Sequence, residues 1–420
     1  MAKRLPARVE AAIDSLGALG SQTQRLVRGA LERLIFDACI ERPGDEVFVQ
    51  TGDIEAMWIR DSCWQLRPLV RFAGDEDIAW LLVGAVKAQV RYLGIDPYAN
   101  AFNIEANGAC WHKDFVDQSP WVFERKFELD SLTAFLHFSL DLVDAGVHEH
   151  IDGAWWLVVR DVVHLMQRET RHDVAGYRFV RADAPAHNYL SNDGYGAKFA
   201  ECGLIWSAFR PSDDACELPF SIAANLHAVV VLQRLATYCD SIGVEAELAA
   251  QARALAESVE AAVQKHGVIE RAGKQLYAYE VDGLGAAIMQ DDANYPNLVS
   301  LPWLGHASET RYLATREFAL SAENPWYFES PVAAGIGSPH TGSQMVWPLA
   351  IAMAGLTAAT AADQLAALRM IEATASADGH IHESFKVDKP EVFTRPWFSW
   401  AEMTYVELAL MVLENQALPQ

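Results

Sequence analysis

Apolar residues recur at three- and four-residue spacing along most of the 420-residue chain, and this period constrains the fold more than any other feature. The segments that carry it are 9–19, 24–38, 60–72, 75–93, 130–145, 152–169, 221–242, 245–266, 309–320, 343–354, 361–375 and 402–415. Strand-like stretches are few and short, at 46–50 and 177–180, so neither alternating βαβ units nor a β-sandwich fits. The pattern predicts an all-α fold of about a dozen helices.

Long polar connections rich in Trp, Asp, Asn, Gly and Pro separate these helices. They span 95–122, 183–217, 281–302, 324–344 and 377–400. Loops of this length inside a compact domain are usually functional. Because they return after pairs of helices, we expect helical hairpins in a ring, an α/α toroid, with the loops at one end around a pocket. No linker or low-complexity run marks a boundary, so residues 1–420 are predicted to form one domain, with 1–46 as an N-terminal helical segment packed on it.

Charge and composition disfavour several classes of partner. The 56 Asp and Glu residues against 33 Lys and Arg give a net charge of −23, which repels nucleic acid and acidic lipid. The N-terminus has no apolar signal region, and no run of about 18 uncharged apolar residues occurs, so neither secretion nor membrane spanning is predicted. The six cysteines form no C-x-x-C pair, which indicates reduced thiols and a cytoplasmic protein. The 13 Trp and 12 Tyr residues are a first indication of a sugar-binding cleft.

The first cluster of chemical groups is TGDIEAMWIRDS at 51–62, where Trp58, Arg60 and Asp61 begin an amphipathic helix. Helix capping and ion pairing explain such residues without any ligand. Together, the carboxylates, the guanidinium and the indole also suit a wall that binds sugar hydroxyls. Further along, the run Glu124-Arg125-Lys126 is typical of mutual ion pairs beside a helix start.

The second cluster, GLIWSAFRPSDD at 203–214, contains Trp206 and Arg210 and ends in the adjacent carboxylates Asp213 and Asp214. Two neighbouring acids in a partly buried site raise each other's pKa, which can keep one of them protonated near neutral pH as a general acid. The alternative is that the N-terminal dipole of the following helix favours both as anions.

Further clusters contain residue types that occur in metal and cofactor sites. The acids near 282–292 do not follow the EF-hand pattern, and the glycines at 335–337 do not match a dinucleotide-binding loop. His380-Ile381-His382-Glu383 offers metal-ligand types, but without H-E-x-x-H spacing or a cysteine partner it predicts no metal. Glu383 among Trp397, Phe398 and Trp400 is instead typical of a base beside an apolar sugar platform.

Nine blocks between about Thr51 and Glu407 resemble, in order, glycoside hydrolase family 125, the metal-independent exo-α-1,6-mannosidases. They are TGDIEAMWIRDS, DPYANAFN, ERKFELDSL, FRPSDDAC, YEVDG, MQDDANYPNLVSLPWLG, GIGSPH, ESF and FTRPWFSWAE. The resemblance implies an (α/α)6 barrel and the removal of a non-reducing terminal α-1,6-linked mannose with inversion, without a metal or another cofactor.

The resemblance also implies catalytic roles. The general acid is an Asp of the FRPSDD block and the general base is Glu383. Asp213 is preferred as the acid, and Asp214 stays open. In an inverting reaction a water must fit beside the base, which requires carboxyl groups about 6.5–9.5 Å apart.

The hydroxyls of mannose suggest the remaining pocket residues. Predicted hydroxyl-binding residues are Arg60, Asp61, Arg210, Asp291, Asp292, Asn294, His340 and Arg395, and predicted stacking rings are Trp58, Trp206, Trp397 and Trp400. Packing in the core is the alternative for each ring. The predicted partner is a mannose-containing oligosaccharide or N-glycan fragment, with no nucleic acid and no membrane, and the sequence leaves the oligomeric state open.

Other functional classes stay open at this point. Another sugar-active α/α-barrel enzyme, a phosphorylase or an epimerase, is one alternative, and a phosphorylase would require added phosphate. A non-catalytic glycan-binding protein would bind mannosides saturably without hydrolysis. A metal-dependent mannosidase would lose its activity in excess chelator.

Overall fold

A computed structural model of the chain describes residues 4–114, 118–172, 176–181, 185–307 and 309–417. Its α-helices are α1 (Ala7–Ser15), α2 (Ser21–Arg33), α3 (Ile59–Leu66), α4 (Glu76–Ile95), α5 (Leu129–Asp144), α6 (Gly153–Glu169), the single turn α7 (Ser191–Gly194), α8 (Ile222–Ile242), α9 (Ala246–His266), α10 (Thr310–Ala319), α11 (Pro348–Leu356), α12 (Ala361–Thr374) and α13 (Ser399–Ala417). Short 3-10 or π segments at 16–19, 34–38 and 67–72 extend α1, α2 and α3.

The strands are short and pair in antiparallel fashion. They are β1 (Cys39–Arg42), β2 (Glu46–Val49), β3 (Met57–Trp58), β4 (Ala101–Phe102), β5 (Val122–Glu124), β6 (Phe220–Ser221), β7 (Val268–Arg271), β8 (Lys274–Tyr277), β9 (Glu280–Val281), β10 (Ala287–Ile288), β11 (Tyr327–Glu329), β12 (Ala334–Ile336), β13 (Met345–Val346), β14 (Ser384–Lys386) and β15 (Lys389–Thr394). β1 pairs with β2, β4 with β5, β7 with β8 and β11 with β12. β9 lies between β6 and β10, and β14 lies between β13 and β15.

The predicted helices are present, and two predictions about local structure are wrong. The helix expected at 343–354 begins only at Pro348, because Met345 and Val346 form β13 and a proline suits a first helical turn. The strand expected at 177–180 is absent from the described residues there, where Phe179 N–H donates to the carbonyl of Gly194 instead of to a neighbouring strand.

The chain divides into two compact units. Unit 1 comprises Met1–Gln89, Asp141–His150 and Trp326–Gln420, and unit 2 comprises Val90–Leu140 and Ile151–Pro325. In unit 1, α13 packs against α2, α3, α11 and α12. In unit 2, α8 and α9 form a closely packed helical hairpin whose turn begins at Gly243, where φ is 67°. The prediction of a single domain stays a prediction.

The N-terminal helices contribute to the core of unit 1. Leu26 and Leu31 of α2 are buried, and Thr23 donates a hydrogen bond of 2.5 Å to the carboxylate of Glu372 on α12. Arg33 at the end of α2 pairs with Glu402 on α13 at 2.6 Å. The first turn of α13, which follows the segment containing Glu383, is therefore anchored to α2.

By length and composition alone, one helix of the described residues, α4, is apolar enough to cross a membrane, with a mean hydropathy of 1.3. Within its apolar window 67% is buried inside the structure. A buried core helix satisfies the same criteria, so this is weak evidence for a membrane span.

Candidate active site

The predicted site residues fall into two groups, one in each unit. Unit 1 holds Trp58, Arg60, Asp61, His340, Glu383, Arg395, Trp397 and Trp400, and unit 2 holds Trp206, Arg210, Asp213, Asp214, Asp291, Asp292 and Asn294.

Glu383 directly precedes β14 and is 6% exposed. Antiparallel pairing of β14 with β15 brings it opposite Arg395, and its N–H donates to the Arg395 carbonyl at 3.4 Å. One carboxylate oxygen of Glu383 lies 3.6 Å from Nη1 of Arg395. The Arg395 guanidinium thus lies directly beside the Glu383 carboxylate.

Arg395 is held from its other side by the turn at 51–53. Its Nε donates to Oδ1 of Asp53 at 2.8 Å, and its Nη2 donates to the carbonyl of Thr51 at 3.1 Å. Its own backbone has φ 36°, an uncommon value for a residue with a side chain. The structure thus shows Arg395 linking Asp53 to Glu383, and its contact with a sugar stays a prediction.

Gly52 permits this turn to lie against the segment before α13. Its φ is 56°, and a Cβ there would meet the carbonyl oxygen of Trp397 at 2.8 Å and the amide nitrogen of Ser399 at 3.2 Å. Both contacts are with backbone atoms, which cannot rotate away as a flexible side chain would. Glycine is therefore required at this position.

We predict that Gly52→Ala lowers the free energy of unfolding by about 1–3 kcal/mol, because it adds left-handed strain to a backbone clash. It should also lower kcat, since the turn that holds Arg395 has to move. Urea unfolding and steady-state kinetics measure both effects. Gly44→Ala is the matched control, because Gly44 also has positive φ (85°) but no atom lies within 4 Å of its added Cβ. Equal effects of the two substitutions would show that the close approach at Gly52 is unimportant.

Arg60, Asp61 and the tryptophans Trp58 and Trp400 are all buried. Nη2 of Arg60 lies 3.1 Å from Oδ1 of Asp61, and the Arg60 guanidinium carbon lies 5.1 Å from the centre of the Trp400 ring. The N–H of Trp58 donates to Oγ1 of Thr51 at 3.2 Å. These contacts order the start of α3, and the predicted sugar contacts of the four residues stay predictions.

Glu402, on the first turn of α13, orders this region and is absent from the predicted site residues. It is 1% exposed and accepts hydrogen bonds from Nε1 of Trp397 at 3.0 Å and from Arg33. Trp397 itself is half-buried, and its ring lies 6.5 Å from that of His380. The ring of Trp397 is therefore fixed in position while part of its surface is accessible, as a sugar platform requires.

The His-x-His-Glu motif does not assemble as a metal centre. Nδ1 of His380 lies 3.4 Å from Glu402, and His382 bonds the carbonyl of Pro396 at 2.9 Å while it stacks on Phe393. Burial lowers the pKa of His382. Among the residues that the structure describes, no group of three or more His, Cys, Asp or Glu side chains is placed to hold a metal ion.

His340 follows the glycine pair of the GIGSPH block and is half-buried. Its N–H donates to Oγ of Ser338 at 3.2 Å, and its ring meets the edge of Trp347 at 6.2 Å. A Cβ on Gly337 would lie 2.1 Å from the carbonyl oxygen of Met345. The glycines therefore serve close strand packing, and the contact of His340 with a sugar stays a prediction.

In unit 2, the FRPSDD block forms a tight hairpin loop. Phe209 bridges to Ala215, and the N–H of Asp213 donates to the carbonyl of Arg210 at 2.9 Å across a turn with Pro211 at its second position. Asp213, the last residue of that turn, has φ 63°. Hairpins of this kind have a left-handed residue at the end of the turn, usually glycine. Aspartate tolerates that conformation better than most residues.

The two adjacent acids differ in environment. Asp213 is partly buried, and its Oδ1 lies 3.5 Å from Nδ2 of Asn100. Asp214 is fully buried, and its carbonyl accepts the N–H of Arg210 at 2.7 Å, which closes the loop. Accessibility to a substrate therefore favours Asp213 as the acid.

Arg210 fixes the loop to β9. Its Nε and Nη2 donate to the two oxygens of Glu280 at 2.5 and 2.9 Å, and both residues are buried. Burial alone would lower the pKa of Arg210, but the charge of Glu280 more than offsets this and raises the pKa well above its usual value. Glu280 also accepts the N–H groups of Glu217 and Leu218. The structure shows Arg210 as part of the scaffold, and its predicted sugar contact is untested.

Trp206 packs in an aromatic cluster. It is 1% exposed, and its ring is nearly parallel to that of His172, with 3.4 Å between the ring centres. Phe127 lies 6.0 Å away in a parallel orientation. Core packing accounts for this residue, and its predicted role as a sugar platform has no support in these contacts.

Asp291, Asp292 and Asn294 stabilise a buried turn. The carboxylate of Asp291 accepts the N–H groups of Leu298 at 2.9 Å and Val299 at 3.1 Å. Oδ1 of Asp292 accepts the N–H and the side-chain amide of Asn294, both at 3.0 Å. All three predicted pocket residues therefore have structural roles here, and their contacts with a sugar stay predictions.

Burial raises the pKa of Asp291 to about 8 from an ordinary value of 3.8, although the two N–H donors act against the shift. Between these values the folded chain binds the proton and the unfolded chain does not, so stability falls as the pH rises. We predict that Asp291→Asn flattens this slope, on the order of a few kcal/mol between about pH 5 and pH 8. Urea unfolding at both pH values measures it. The same loss of stability in both proteins would contradict a protonated Asp291.

The chain matches known proteins over nearly its whole length. The family model for metal-independent alpha-mannosidases, GH125, matches residues 21–410. Meiotically up-regulated gene 157 protein of Schizosaccharomyces pombe is 35% identical over an alignment of 397 residues, and the match covers 88% of this chain and 77% of that protein.

Solved structures show the same fold. A Streptococcus pneumoniae metal-independent alpha mannosidase, in a non-productive substrate complex with alpha-1,6-mannobiose, is 35% identical and covers 97% of this chain and 99% of its own, with a TM-score of 0.95. A bacterial glucoamylase complexed with acarbose is 12% identical, covers 95% of this chain and 56% of its own, and has a TM-score of 0.60, a likeness of fold alone. The predicted all-α fold class, the (α/α)6 barrel, is confirmed.

Proposed function

Because this chain belongs to the metal-independent α-mannosidases, glycoside hydrolase family 125, we propose that it removes a non-reducing terminal α-1,6-linked mannose from oligosaccharides or N-glycan fragments, with inversion. The observation that carries the proposal is the similarity, over nearly both whole chains, to an α-mannosidase crystallised with α-1,6-mannobiose.

The proposal assigns proton donation to Asp213. A general acid must reach the glycosidic oxygen, and Asp213 is only partly buried whereas Asp214 is fully buried. Asp213 also has the strained left-handed backbone that clusters at functional sites. Asp214 then serves the loop that presents Asp213.

The proposal assigns activation of water to Glu383. Its carboxylate lies beside Arg395, and Asp53 and Thr51 hold Arg395 in place. A carboxylate that is fixed in position is suited to remove a proton from a water that reaches it. In an inverting hydrolysis that water attacks the anomeric carbon from the face opposite to the leaving group.

The test is NMR of the first product formed from α-1,6-mannobiose. Inversion predicts that β-mannose appears first and then mutarotates. Initial α-mannose would overturn inversion. Saturable binding of mannobiose without release of mannose would identify the protein as a glycan-binding protein and not a hydrolase. Release in phosphate-free buffer with excess chelator would exclude phosphorolysis and a metal requirement.

We also propose that the reaction takes place in the cytoplasm. All six cysteines are free in the structure, and burial raises the pKa of the Cys39 thiol to about 12, which keeps it protonated and unreactive. Fractionation of native cells, with enzyme activity as the readout, tests this. Activity confined to a secretory or extracellular fraction would contradict it.

A further inference from the structure

Lys126 is a buried cation that directly touches the loop carrying Asp213. It is 2% exposed, and its Nζ donates to the carbonyl oxygen of Asp213 at 2.7 Å. Lysine is almost never fully buried unless its charge is paired, and here Glu124 supplies the partner at 3.3 Å. The predicted ion pair between Glu124 and Lys126 is confirmed, whereas Arg125 pairs with Asp96 at 2.6 Å instead.

The carbonyl that Lys126 contacts belongs to the one residue of this loop with positive φ. Asp213 is the last residue of the turn that begins at Arg210, and its backbone is left-handed, with φ 63°. A non-glycine residue in this conformation costs about 1 kcal/mol or more unless its surroundings stabilise it. A charge-assisted hydrogen bond to the Asp213 carbonyl is such a stabilising contact.

Asn100 connects Lys126 to the carboxylate of Asp213. It is fully buried, and its Oδ1 accepts the backbone N–H of Lys126 at 3.1 Å. Its Nδ2 lies 3.5 Å from Oδ1 of Asp213 and donates to Glu128 at 3.0 Å. Lys126 thus acts on Asp213 at two points: its ammonium contacts the carbonyl, and its backbone orients the amide beside the carboxylate.

We propose that Lys126 is a positioning residue for the general acid, holding Asp213 in the left-handed conformation that presents its carboxylate to the substrate. The inference rests on the proposed function in naming Asp213 as the acid. The control of the Asp213 backbone by Lys126 can be tested independently of the reaction.

A second buried cation supplies a matched control. Arg181 is 6% exposed, and it pairs with Glu124 at 2.8 Å and with Asp114 at 2.6 Å. It therefore belongs to the same ion-pair network as Lys126, but its guanidinium bonds Asp114 and Glu124 and not the loop of Asp213. A purely structural role of the network predicts similar effects when either cation is removed, whereas a positioning role predicts a selective effect of Lys126.

The experiment compares Lys126→Met, Lys126→Gln and Arg181→Met in the full chain. We expect Lys126→Met to lower kcat on α-1,6-mannobiose by about 100-fold with KM within about threefold, since small misplacement of a catalytic group costs that much. Lys126→Gln, which can still donate to the carbonyl, should recover part of this loss. Arg181→Met should lower thermal stability comparably but change kcat by less than about threefold.

A crystal structure of Lys126→Met gives the second readout, the φ angle of residue 213. A changed φ together with the selective loss of kcat supports the proposal, and an unchanged φ or a loss no greater than that of Arg181→Met overturns it. If Lys126→Met does not fold, Lys126→Ala, which likewise removes the donor to the Asp213 carbonyl, is judged by the same two criteria. If the unmodified protein releases no mannose, the proposed function fails, and the φ of residue 213 alone decides whether Lys126 positions it.

Discussion

Replacement of Glu383 by glutamine is expected to lower kcat by about 1000-fold and to leave mannobiose binding nearly unchanged. The amide has nearly the same shape as the carboxylate but cannot remove a proton from water. Its oxygen can still face Nη1 of Arg395, so the ordered contacts from Asp53 through Arg395 to residue 383 are retained. Steady-state kinetics and calorimetric titration with α-1,6-mannobiose measure the two effects.

Glu391→Gln is the matched control for this substitution. Glu391 lies on β15, the strand that pairs with β14 beside Glu383, and its side chain is exposed. The same chemical change there should leave kcat and stability within experimental error. A fully active Glu383→Gln enzyme would remove Glu383 from the mechanism, whereas loss of sugar binding together with turnover would assign it to the binding of substrate.

The helices other than the single turn α7 were predictable because each keeps an apolar face over two or more turns. The helices predicted at 221–242 and 245–266 differ by one residue from α8 (Ile222–Ile242) and α9 (Ala246–His266). The strands were mostly missed because many have only two to four residues, too few to show a period of two. The hairpin of β7 and β8 is an example, since its eight strand residues include Arg271 and Lys274 beside its turn and show little alternation in burial.

The candidate site was predictable where a motif gathers reactive groups within a few residues. The adjacent acids at 213 and 214 and the Glu383 block meet that condition. The residues that hold them do not: Lys126 contacts Asp213 across 87 positions, and Arg33 contacts Glu402 across 369. Such partners are brought together only by tertiary folding, and Asn100, Lys126, Glu280 and Glu402 were missed for that reason.

Several of the predicted pocket residues have structural roles in the folded protein. Charged and aromatic residues in loops suggested sugar contacts. In the structure, however, Arg210 bonds Glu280, Asp291 accepts backbone N–H groups, and Trp206 stacks on another ring. Long loops that fold into a buried core need polar side chains to satisfy their own backbone groups. In a loop-rich fold, therefore, a cluster of polar residues is weaker evidence for a binding site than an accessible acid with a strained backbone.

Replacement of Asp213 by asparagine is expected to lower kcat by about 1000-fold on α-1,6-mannobiose, because the leaving sugar alkoxide then receives no proton. A mannoside whose leaving group is a weak base needs little protonation, so an activated aryl α-mannoside should recover most of the lost rate. Asparagine tolerates the left-handed backbone at φ 63°, so the loop should keep its shape. Kinetics on the two substrates measure the contrast.

Asp214→Asn distinguishes the adjacent acids. Asp214 is fully buried, so its substitution should lower the free energy of unfolding, and any loss of kcat should be equal on both substrates. Rescue of Asp214→Asn by the activated mannoside, with none for Asp213→Asn, would exchange the two assignments. Glu383→Gln supplies the opposite control: an activated leaving group still requires attack by water, so a variant without its base should stay slow on both substrates. The acid is therefore identified by its dependence on the leaving group, a property that loss of stability does not reproduce.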